Sequence, residues 1–222
     1  MKFTFVKAIF TSAIILSSTL ANAGIINQWD VDFAALNNDG KFNAATIQKS
    51  TSFAVNGDVL TLNHNSWYYV NLADAIGVSS LDLGLLDTTL SFDFMTSGTP
   101  EISGVQISDV SHHDITGAFN LIGTQNWGLK NFSYSDIGQW VTFEINLSDY
   151  FSNDTSTKAF STLMFINDCD NCSNSNSNID VSFRNMSITQ SSDQLAAQVP
   201  EPTTLAIFAL GVIGLASRRF KK

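Results

Sequence analysis

Aromatic side chains set among amides are the residues of this chain best suited to hold an uncharged ligand. There are four tryptophans, Trp29, Trp67, Trp127 and Trp140, and three tyrosines of interest, Tyr68, Tyr69 and Tyr134. A pyranose ring presents apolar C–H faces that stack on an aromatic ring, while neighbouring amides and carboxylates bond its hydroxyls. Trp127 has the best setting. It follows Gln125 and Asn126 in a polar stretch bounded by Gly123 and Gly128, where a core residue is not expected. Gln125, Asn126, Trp127 and Tyr134 are therefore the expected sugar contacts. Trp140 opens an alternating strand and reads as core. For every Trp the competing reading is burial, because large aromatics dominate cores.

The densest polar run is Asn167-Asp168-Cys169-Asp170-Asn171-Cys172. Asp168 and Asp170 offer hard oxygen ligands suited to calcium, although the glycine and terminal glutamate of an EF-hand loop are missing. A solvated loop of self-satisfying Asx turns is the alternative. Cys169 and Cys172 are the only cysteines. No His lies near them to complete a zinc site, and they follow a strand rather than open a helix as redox pairs do. A local disulfide is expected in an oxidising compartment. His112-His113-Asp114 could supply a base or a metal ligand, but no G-x-S-x-G elbow or H-E-x-x-H helix accompanies it. Between the two ends, Glu101 and Glu144 are the only glutamates, with no second Glu at short spacing. An enzyme is not expected.

Strands must position these residues. Apolar residues alternate with polar ones at Leu90, Phe92 and Phe94, at Val141, Phe143, Ile145 and Leu147, and at Ile179, Val181 and Phe183. Leu163 and Phe165 centre another strand. Ser52–Val55 and Asp58–Leu62 flank Asn56-Gly57, the signature of a hairpin with a type I′ turn. Ser103-Gly104 breaks the phase as a bulge would, and the phase shifts again at Asn185-Met186. A short helix fits Asn71–Ile76. The pattern predicts an all-β fold, a β-sandwich of jelly-roll type with eight or nine strands, over residues 24–188. Residues 189–198 lose periodicity and read as a linker.

The net charge is −9, but between the ends five basic residues face nineteen acidic ones. So acidic a domain repels phosphate backbones, which argues against nucleic-acid partners, and anionic membrane surfaces are disfavoured for the same reason. A neutral polysaccharide or a divalent cation suits the sign. The two ends are different. Lys2 and Lys7 precede an apolar run from Ala8 to about Leu16, and Ala21-Asn22-Ala23 supplies a small-x-small cleavage site. Residues 1–23 therefore read as a secretory signal peptide, cut by signal peptidase between Ala23 and Gly24. Residues 199–222 hold Pro200-Glu201-Pro202, an apolar run from Leu205 to Ala216, and the basic end Arg218, Arg219, Lys221 and Lys222. The run is shorter than the ~20 residues of a comfortable membrane span, and the basic cluster would hold its end in the cytoplasm.

This tail resembles the PEP-CTERM sorting signal. The resemblance implies recognition by an exosortase at Pro200-Glu201-Pro202, transient residence in the inner membrane, and release to the cell surface or extracellular matrix. A second resemblance covers the middle. Leu121–Gly128, Trp140–Ile145, Phe165–Asp168 and Phe183–Met186 run in an order similar to the second half of galactose-binding-like jelly-roll modules of secreted polysaccharide-degrading enzymes. It implies carbohydrate binding without catalysis. A structural biofilm protein that binds no sugar, and a glycan-active enzyme, are the alternatives.

Overall fold

The structure is a computed structural model that describes residues 25–45, 52–81, 83, 86–109, 115–151, 160–170 and 179–191. The expected signal segment, residues 192–222, His112-His113-Asp114 and Cys172 lie outside the described residues. The chain divides into two compact units, one of residues 27–190 and one of residues 1–26 with 191–222. Of the second, only Ile25, Ile26 and Ser191 are described.

The described residues form eleven strands and three short helices, in the order β1 (Ile25–Asp30), α1 (Phe33–Asn38), β2 (Asn43–Ala44), β3 (Ser52–Asn56), β4 (Val59–Asn63), β5 (Ser66–Asn71), α2 (Leu72–Ile76), β6 (Asp87–Thr96), β7 (Ile102–Ser108), β8 (Ala118–Ile122), β9 (Val141–Asn146), α3 (Ser148–Phe151), β10 (Thr162–Asp168) and β11 (Asp180–Ser191). One sheet has the order β3-β4-β11-β6-β9, with β1 also pairing β11; the other has the order β2-β5-β10-β7-β8. The fold is thus the expected all-β sandwich, with more strands than the eight or nine predicted.

The main core lies between the sheets. From the second sheet come Tyr68 and Val70 of β5, Leu163 and Phe165 of β10, and Val105 and Ile107 of β7. From the first come Leu60, Leu62, Phe92, Phe94, Phe143, Ile145, Val181 and Phe183. The rings of Phe165 and Phe183 meet edge to face across the sandwich, 5.2 Å between centroids. Asn167, fully buried, ties the sheets together: its amide donates to the Leu62 carbonyl at 3.1 Å and the Ile179 carbonyl at 2.8 Å.

Local chemistry explains the connections. Asp32 caps α1 by accepting from the Ala35 N–H at 2.8 Å, and Gly77 ends α2 in the left-handed region at φ 77°. The β3–β4 hairpin forms, but its turn is displaced by one residue. Asn56 pairs with Val59, so Gly57 and Asp58 are the turn residues. Of the two, only Gly57 has positive φ, the pattern of a type II′ turn with glycine first. The register does shift between Ser103 and Gly104, and Asn185 takes φ 50° where the phase of β11 changes. β11 runs on through Thr189, Gln190 and Ser191 into the expected linker. Gln190 can lie buried there because its amide donates to Thr88 Oγ1 at 3.2 Å.

Strands β7 and β10 are buried along their whole length. Cross-strand register places Trp67, Ile166 and Gly104 side by side on the face opposite Tyr68, Phe165 and Val105. That face carries a second apolar cluster of Ala45, Trp67, Ile102, Ala118, Met164 and Ile166, with Tyr69 and Trp127 packed against it. The candidate site lies at its edge.

Candidate ligand and cation site

The loop that follows β8 delivers three of the expected contacts together. Gln125 and Asn126 are exposed and Trp127 is half-buried. Two anchors hold the loop. The buried amide of Asn120 donates to the Trp127 carbonyl at 2.9 Å and the Gln125 carbonyl at 3.4 Å. The Gln125 N–H donates to the Glu101 carbonyl at 3.0 Å, and the Thr124 N–H to that of Pro100 at 3.2 Å. The approach is so close at Gly123 that a Cβ there would lie 2.2 Å from the Glu101 carbonyl oxygen, which only glycine tolerates. Trp127 then meets Trp67 edge to face, 5.5 Å between centroids at 74°.

Tyr134 does not join them. It is only 5% exposed and edge-on to Phe94, and its hydroxyl donates to the carbonyls of Asp136 and Gln139. Its polar tip is spent closing its own loop, so it offers no ring face to a sugar. Trp140 also departs from the expectation. It is half-buried rather than core, and the Arg184 guanidinium sits 4.1 Å over its ring. Arg184 is held there by Asp93, whose Oδ2 lies 3.0 Å from Nε. Partial burial would raise the Asp93 carboxyl, but hydrogen bonds from Thr142, Asn185 and Arg184 outweigh it and hold the group below its ordinary value. Tyr68 is in the main core and Trp29 packs against it.

Asp168 and Asp170 come together with a residue that the sequence did not offer as a partner, Glu101. The Glu101 N–H donates to the Asp168 carbonyl at 2.8 Å, which sets the start of β7 against the end of β10. Carboxylate oxygens of Glu101, Asp168 and Asp170 all lie within 4.8 Å of one another. Asn65, just before β5, donates through Nδ2 to Asp170 Oδ1. Asp168 is 9% exposed. Asn65 Oδ1 is buried with no hydrogen-bond partner. Burial, then the charges of Asp170 and Glu101, raise the Asp168 carboxyl to about 6, against the pull of the Trp67 side chain. Trp67 therefore touches both the acidic trio and Trp127. Cys169, between the two aspartates, is disulfide-bonded; the only other cysteine of the chain is Cys172.

An open groove of about 470 Å³ lies elsewhere, among Asp30, Val31, Asp32, Asp58, Asn185, Met186 and Ser187. It has no aromatic lining residue, and Asp32 is occupied as the cap of α1. Among the described residues no helix is long and apolar enough to cross a membrane.

Comparison with solved structures finds distant likenesses. A family 30 carbohydrate-binding module of a cellulosomal cellulase of Clostridium thermocellum is 14% identical, covering 75% of this chain and 93% of its own, with a TM-score of 0.35. The CBM22-2 xylan-binding domain of Paenibacillus barcinonensis Xyn10C is 15% identical over 73% of this chain and 98% of its own, at 0.41. The protein SGBP-B from a xyloglucan utilization locus of Bacteroides uniformis is 13% identical over 68% of this chain and 45% of its own, at 0.33. Likenesses this distant carry no argument about a ligand. Comparison with curated proteins finds no match. Residues 198–222 match the PEP-CTERM protein-sorting motif, so the chain carries the sorting signal that its Pro-Glu-Pro tail resembles.

Proposed function

We propose that this is an exported surface or extracellular-matrix protein, an exosortase substrate, whose sandwich binds polysaccharide without catalysing a reaction on it. Signal peptidase removes residues 1–23. The tail at 199–222 holds the chain in the inner membrane until exosortase acts at Pro200-Glu201-Pro202. The sorting motif at 198–222 supports the route.

One observation carries the binding reading. A half-buried tryptophan is presented on an anchored loop directly beside two exposed amides, Gln125 and Asn126. Trp67 packs edge to face against Trp127, so a sugar stacking there meets a ring already held in place and orders little on binding. Affinity electrophoresis of the purified protein through gels containing different polysaccharides tests this. Retardation by at least one glycan is expected, and Trp127→Ala should abolish most of it, since stacking anchors dominate such sites. Unchanged mobility in every gel would leave a structural matrix role, and release of reducing sugar would make the protein an enzyme.

A further inference from the structure

We propose that Glu101, Asp168, Asp170 and the side-chain oxygen of Asn65 form a calcium site at the junction of β5, β7 and β10. The proposal stands whether or not the Trp127 loop binds sugar. Three carboxylates whose oxygens lie within 4.8 Å of one another fit around a single ion, because calcium takes oxygens at roughly 2.3–2.6 Å and opposed ligands then stand about 5 Å apart.

The second observation is independent of this clustering. Asp168 is only 9% exposed, and against its two anionic neighbours what pulls on its carboxyl is the neutral side chain of Trp67; Asn65 Oδ1 is buried with no hydrogen-bond partner. Buried acceptors are almost always satisfied, and leaving one bare costs about 1–3 kcal/mol. The Asn65 amide is turned with its Nδ2 on Asp170, so Nδ2 is engaged within the cluster while Oδ1 is bare. A neutral donor such as the Trp67 side chain leaves the repulsion among three anions in place, whereas a cation neutralises it.

The donor set selects the ion. It is all oxygen, with the sulfur of Cys169 committed to a disulfide, which disfavours zinc. Its mixed carboxylates and amide oxygen come from three separate segments, an irregular cage that suits calcium better than the strict octahedron of magnesium.

Trp67 provides the readout, since its side chain acts directly on Asp168. Terbium, a calcium surrogate, is added to the full chain in buffer without chelator while indole fluorescence is excited. Sensitised terbium emission is expected, displaced by calcium and far less by magnesium. Asp168→Asn should weaken terbium binding at least about 100-fold, and Glu101→Gln about 10-fold or more, by analogy with the loss seen even for outer-shell partners of metals. Calcium should also raise the melting temperature of the unaltered chain. Absence of sensitised emission together with no calcium-dependent change in melting would overturn the proposal. So would terbium binding that both variants retain in full, because the ion would then sit elsewhere.

Discussion

With no cation present, Asp168 should make the protein more stable in mild acid than at neutral pH, and Asp168→Asn should remove that behaviour. The carboxyl is raised from 3.8 to about 6 by burial first, and then by Asp170 and Glu101. A carboxyl that holds its proton more tightly when folded favours folding at low pH. That advantage is lost as pH rises from about 4 to a little above 6. A shift of about two pH units corresponds to about 3 kcal/mol at 1.36 kcal/mol per unit. The asparagine variant cannot titrate, so relative to the unaltered chain it should gain up to about 3 kcal/mol between pH 4 and pH 7.5. For a domain of this size that is about 6–12 °C in melting temperature. The assay is urea unfolding of both proteins in EDTA at several pH values, with the difference taken at each pH. Taking the difference cancels other titrating groups such as Asp93, whose lowered value acts in the opposite sense. Two curves that run parallel from pH 4 to 7.5 would refute the reasoning, because they would mean that Asp168 pays no burial or charge penalty when ionised.

Two further outcomes follow from close contacts. Asn167→Ala leaves the carbonyls of Leu62 and Ile179 without their donor, and should cost about 2–4 kcal/mol in urea unfolding; a loss under 1 kcal/mol would show that water replaces the amide. Gly123→Ala drives a Cβ against the Glu101 carbonyl oxygen and should cost about 1–3 kcal/mol. It should also weaken both polysaccharide retention and terbium binding, since the same contact positions the Trp127 loop and Glu101.

Much of the fold was legible because it rests on local rules. Alternation placed the inward residues of β6, β9 and β11. Irregular phase located the bulge at Ser103-Gly104 and the left-handed Asn185. The hairpin was legible but not its turn, since Asn-Gly and Gly-Asp both satisfy turn chemistry and cross-strand packing of Phe53 and Val55 with Leu62 and Leu60 decides the register. The site was legible only in part. Trp127, Gln125 and Asn126 stood out as a loop, and Asp168 with Asp170 as a run. Trp67 stood out only as one of four tryptophans, and the partnership of Glu101, Asn65 and Trp67 with Asp168 did not stand out, because it is made through the pairing of β10 with β7 and β5, a long-range fact with no local signature. Tyr134 misled because a tyrosine that closes its own loop by donating to nearby carbonyls looks, in sequence, like one that faces solvent.

The positions of β10 and β11 set the order in which the molecule can be built. β11 lies between β4 and β6, and β10 lies between β5 and β7, yet they are the last two of the described strands. Before residue 162 is made, each sheet lacks its central strand. The pieces then available are the ribbons β3-β4, β6-β9, β2-β5 and β7-β8, and isolated two-stranded ribbons are marginal in water. A chain made N-terminus first therefore stays open to proteases and to chaperones until residues 162–191 emerge. It then closes both sheets in one late step dominated by distant contacts. Since β11 ends at Ser191 and the sorting motif begins at residue 198, completion of the sandwich and delivery of its sorting signal fall almost together in time.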